Sequence, residues 1–101
     1  MENGEINIAV NDLLVAGEAS KRYIGKDNYG RPKIDYLKKL VLMTDKELQD
    51  ESENKIFLSA YASNNPRSDY HWHCDACYDE CKRRKKDFIY KNAYNKVRRG
   101  I

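Results

Sequence analysis

The chain has 101 residues, of which 41% are hydrophobic and 35% charged, and a formal net charge of +3. That is one domain with a modest core, and its longest apolar block, Leu40-Val41-Leu42-Met43, is far short of the roughly 20 residues of a membrane helix. Eight tyrosines against two phenylalanines and one tryptophan favour half-buried rings and binding surfaces, because a phenol packs at one end and hydrogen-bonds at the other.

Residues 1–10 are polar except for Ile6, Ile8 and Val10, an alternation that suits a short strand or an extended arm. They lack a basic stretch followed by an apolar core, so no secretory signal is expected. Three cysteines cannot all pair within one chain, and free thiols in a reducing cytosol are the expectation. From Asn11 onward, Leu13, Leu14, Tyr23 and Ile24 predict a helix capped by Asn11 or Asp12. Gly25 to Pro32 then reads as a turn-rich loop and the expected mobile segment.

Ile34, Leu37, Leu40 and Val41 recur at helical spacing, which predicts a helix after Pro32. Thr44-Asp45-Lys46-Glu47 matches a capping box, so a further helix starts at Asp45 and runs through Leu48, Ser52, Ile56 and Ala60 to about Ala62. Asn64-Asn65-Pro66 ends it, since the residue before proline is pushed out of helical geometry. Ser68 or Asp69 caps the next helix, on which Tyr70, Cys74, Cys77, Tyr78 and Cys81 form a continuous apolar stripe. Near Lys85-Lys86-Asp87 the helix bends or breaks, and Ile89, Tyr90, Ala93, Tyr94 and Val97 make a second stripe. The expected fold is all-α: one domain over residues 1–101, a bundle of four to five helices with a short N-terminal arm.

His71, His73, Cys74, Cys77 and Cys81 are zinc-ligand types, but zinc needs four ligands converging at about 2.0–2.3 Å. On one helix Cys74 and Cys81 are separated by about 10 Å of axial rise, so a single ion cannot take both. Only a neighbouring pair such as His73 with Cys77 remains, and no second CxxC supports it. Cys74-Asp75-Ala76-Cys77 as a redox motif lacks the strand that precedes a thioredoxin-like CxxC. Small buried hydrophobe is the reading that the stripe favours. No nucleophile–base pair with an orienting group, phosphate-binding glycine loop or paired carboxylates is visible. The chain is expected to be non-enzymatic, without cofactor or resident metal.

Charge is segregated. Residues 1–81 carry ten Lys/Arg against fifteen Asp/Glu, whereas residues 82–101 carry nine Lys/Arg against Asp87 alone. The basic end points to a polyanion or an acidic protein surface, or to the chain's own acids at Asp45, Glu47, Asp50, Glu51 and Glu53. If the helix continued through the break, Arg84, Lys91 and Arg98 would recur every seven residues as a ridge able to meet phosphates or carboxylates. The residues expected to contact a partner are Arg67, Arg83, Arg84, Lys85, Lys91, Tyr94 and Arg98. A protein complex leads, and nucleic acid bound through residues 82–99 is the alternative; a small zinc module ranks below both.

The runs AYASNNPRSDYHW, DACYDEC and IYKNAY, within Ser59 to Val97, resemble a recurring C-terminal segment of small bacteriophage and prophage proteins. Ala76-Cys77-Tyr78 and Ile89-Tyr90 to Ala93-Tyr94 carry the resemblance. It implies a phage accessory protein in the cytoplasm of the bacterial host that inhibits or redirects a host machine, a CRISPR effector or a RecBCD-type nuclease. It transfers no catalytic residue.

Overall fold

The computed structural model describes residues 23, 25–61 and 70–100. The expected arm, the helix from Asn11, the Asn64-Asn65-Pro66 stop, Arg67 and the Ser68 or Asp69 cap lie outside the described residues. Within them are four helices: α1 (Lys33–Val41), α2 (Asp45–Tyr61), α3 (Tyr70–Arg83) and α4 (Asp87–Gly100). No strand occurs among the described residues beyond an isolated bridge between Lys26 and Pro32. The domain is all-α.

The turn-rich segment before α1 is closed rather than open. The Asp27 Oδ1 atom accepts the Tyr29 and Arg31 amides at 2.8 and 3.0 Å, and Asp27 N–H donates to the Arg31 carbonyl at 2.8 Å. Gly25 and Gly30 take φ of 83° and 81°, a region where a side chain would be strained.

The capping box forms as its residues dictate. Thr44 Oγ1 accepts the Glu47 amide at 3.1 Å and Glu47 Oε1 accepts the Thr44 amide at 2.8 Å. The reciprocal bonds satisfy donors that a helix start leaves free. From there α2 packs along both α3 and α4, while α1 meets α3. Leu37, Leu40 and Val41 of α1, Leu48 of α2, Trp72, Ala76, Cys77 and Cys81 of α3, and Ile89 and Ala93 of α4 are buried, together with Tyr23.

The inward face of α3 is rotated from the expected stripe. Cys77 and Cys81 are buried and Cys74 half-buried, but Tyr78 is 42% exposed and Tyr70 only half-buried. Trp72, Ala76 and Glu80 take their places inside. Small Ala and Cys side chains let neighbouring helices approach, and Glu80 is tolerated because two guanidiniums hold it.

The break after α3 is a Schellman motif. Lys86 N–H donates to the Cys81 carbonyl at 2.9 Å and Lys85 N–H to the Lys82 carbonyl at 2.9 Å. Lys85 takes the left-handed conformation, φ 60°, that such an ending requires. The chain reverses there, and α4 leaves in a new direction.

Candidate functional site

Much of the basic excess is spent inside the molecule. Arg83 clamps Glu80 with two bonds of 2.8 and 2.7 Å, and Arg84 Nε donates to the same carboxylate at 2.6 Å. The other Arg84 nitrogens reach Asp45 at 2.9 Å and the carbonyls of Leu40 and Met43 at 2.9 and 2.8 Å. One guanidinium thus ties the end of α1, the start of α2 and the end of α3. Glu80 is fully buried, and this pairing offsets the cost of taking its side chain out of water. Lys86 adds a bond to Asp45, and Lys96 reaches Glu53 at 3.2 Å. Hydrogen bonds from Lys86, then from Arg84, hold the Asp45 carboxyl below its ordinary range.

Lys82, Lys85, Lys91, Arg98 and Arg99 make no ion pair among the described residues. Against these five stands Asp87, also without an ion pair there. Within residues 82–100 the charge available to a partner therefore lies on the α3–α4 turn and the outer face of α4, while Lys26, Arg31, Lys38 and Lys39, also without an ion pair among the described residues, lie on and before α1.

Beside it lies a pocket of about 370 Å3 lined by Tyr78, Asp87, Tyr90, Lys91 and Tyr94. The reversal at Lys85 brings Tyr78 of α3 edge-on to Tyr90 of α4, with centroids 5.4 Å apart. Tyr94 follows Tyr90 by one turn and is 49% exposed. The Lys82 ammonium sits 5.4 Å from the centre of the Tyr78 ring, a cation–π contact. Lys91, Tyr94 and Arg98 share one face of α4, at offsets of three and four residues. Apolar rings bordered by ammonium and guanidinium groups suit an amphipathic ligand.

A second concavity is lined by Asp27, Arg31, Pro32, Asp35, Tyr36, Lys39, Trp72 and His73. Its two carboxylates balance its two fixed cations, so it lacks a charge preference. The buried Trp72 indole N–H has no hydrogen-bond partner among the described residues.

The thiols line neither concavity, although Cys77 and Cys74 touch the lining rings Tyr36 and Tyr90 from behind. Burial pushes the Cys77 thiol up to about 12 and the Cys81 thiol up to about 11, so both stay protonated at neutral pH and are poor nucleophiles. Cys77 Sγ lies 3.5 Å from the Tyr36 hydroxyl, which itself donates to Glu51 at 2.6 Å. His71 Nδ1 lies 3.0 Å from Ser59 Oγ, whereas His73 stacks on Trp72 with centroids 3.9 Å apart. Among the described residues no three His, Cys, Asp or Glu side chains gather to hold a metal ion.

Of the residues expected at a partner surface, Lys91 and Tyr94 line the pocket, and Arg98 lies on the same face of α4. Lys85 forms the turn. Arg83 and Arg84 point to Glu80, and because α3 ends at Arg83 the ridge joining Arg84 to Lys91 and Arg98 does not form. Tyr78, Tyr90 and Asp87 complete the pocket, with Lys82 over the Tyr78 ring outside it, and lie beyond the expected partner residues; their signal in the sequence is two aromatic stripes separated by a helix break. No family model matches the chain, and no curated protein or solved structure matches it either.

Proposed function

We propose that this is a non-enzymatic binding protein whose basic, tyrosine-rich α3–α4 face docks on an acidic surface of a protein complex. The observation that carries the reading is the pocket of Tyr78, Tyr90 and Tyr94 on the segment where Lys82, Lys85, Lys91, Arg98 and Arg99 make no ion pair among the described residues. Tyrosine and arginine are the residues that anchor protein interfaces, and uncommitted cations speed encounter with an acidic partner. The bacteriophage resemblance supplies the setting: an accessory protein in the host cytoplasm that inhibits or redirects a CRISPR effector or a RecBCD-type nuclease. No helix among the described residues is long and apolar enough to cross a membrane.

Nucleic acid is the second reading, because rings flanked by lysine also make a stacking platform for single strands. It is weaker here: Arg83, Arg84 and Lys86 are consumed internally, so the cations do not form a continuous track along a phosphate backbone. Affinity capture from nuclease-treated bacterial lysate, run beside a Lys91→Glu/Arg98→Glu variant, tests the protein reading. A complex captured by the wild type and lost from the variant is expected. Equal capture by both would remove the α4 face from the interaction, and capture only without nuclease would move the assignment to nucleic acid.

A further inference from the structure

We infer that the Tyr78–Tyr90–Tyr94 pocket receives one aromatic side chain from an acidic segment of the partner. Carboxylates before and after that ring lie over Lys82 on one rim and over Lys91 and Arg98 on the other. The inference rests on the docking reading above and narrows it to a recognisable peptide chemistry.

Three features of the lining select this occupant. The pocket walls are phenol rings, and Tyr78 already meets Tyr90 at an interplanar angle of 80°, the edge-to-face geometry that a further ring can extend. Asp87 and Lys91 are the two charged groups on the lining and offset each other, so the pocket itself favours a neutral ring over a charge of either sign. Cations border it: Lys82 on the Tyr78 side, and Lys91 and Arg98 along α4, none with an ion pair among the described residues. A neutral ring inside and acids outside is what that division of charge accepts. The exposed rings Tyr78 and Tyr94 at 42% and 49% provide apolar area that an isolated surface charge does not need.

The full-length protein can be titrated with labelled synthetic probes and followed by fluorescence anisotropy. The probes are a glutamate-rich peptide with a central phenylalanine, the same peptide with alanine at the centre, and an oligothymidine of matching charge. The phenylalanine peptide should bind, and the alanine peptide about tenfold more weakly, the usual scale for losing one buried aromatic anchor. Tyr94→Ala should erase most of the difference between the two peptides, whereas Lys91→Glu should weaken both. Tyr94 is half exposed, and an unchanged circular dichroism spectrum and melting point would confirm that its variant is folded. Equal affinity of the two peptides overturns the pocket inference and leaves the basic face intact, since charge alone then suffices. Absence of binding by either peptide overturns the acidic-segment chemistry, while loss of lysate capture in the Lys91→Glu/Arg98→Glu variant independently reports whether the face docks at all. Tighter binding of oligothymidine, weakened by Tyr94→Ala, overturns the inference in favour of a stacked base.

Discussion

Arg84 shows how a basic residue can belong to the fold rather than to a partner. Its guanidinium is held by Glu80, Asp45 and two main-chain carbonyls, and its side chain is 12% exposed. Arg84→Ala should lower stability by about 3 kcal/mol, the scale for breaking a buried pair, as read from denaturant midpoints. Arg84→Lys should restore little of it, because an ammonium cannot span three elements with a planar fork. Asp45 yields a pH prediction whose sign follows from its depressed pKa. A carboxyl that binds protons less readily when folded contributes stability fully above its unfolded pKa of about 4 and loses it as pH falls through the folded value. The stability gap between wild type and Asp45→Asn should therefore close in acid; a gap that stays constant would contradict the Lys86 and Arg84 pairing. Glu51 adds to the same slope: burial pushes its carboxyl up, and the Tyr36 hydrogen bond and Lys55 together more than offset that.

At the scale of elements, much of the architecture was legible because local chemistry announces it. Thr44 and Glu47 mark the start of α2 by their own reciprocal bonds, and Thr44→Ala should cost about 1 kcal/mol in a melting experiment. Leu37, Leu40 and Val41 carry a helical period that needs no tertiary help. Glu80 could not be read in the same way. Its burial depends on two guanidiniums, one of them anchored to residues 39 to 44 positions away, and no hydropathy pattern places a carboxylate inside. That buried carboxylate and Trp72 turn α3 so that Tyr78 faces outward. The break was visible as a cluster of lysines, but its form was not, since glycine ordinarily fills the left-handed position that Lys85 occupies. Lys85→Gly should stabilise the protein by about 0.5–1 kcal/mol by removing that conformational penalty, and Lys85→Val should destabilise it. Equal melting points for the three proteins would contradict the turn geometry.

For the whole molecule, the segregated charge of the sequence resolves into two populations. One part neutralises Glu80, Asp45 and Glu53 and so fastens the C-terminal half to α1 and α2; the other stays on the surface around a ring-lined pocket. The candidate site was half legible: Lys91, Tyr94 and Arg98 follow from the basic helix, whereas Tyr78 joins them only through the chain reversal. The most direct measurement is amine footprinting of the captured complex with a lysine-reactive reagent. Protection of Lys82, Lys85 and Lys91 is predicted, with Lys46, which is 74% exposed on α2, labelled as fully as in the isolated protein. Unchanged labelling of those three lysines in a complex that protects Lys46 would contradict the account.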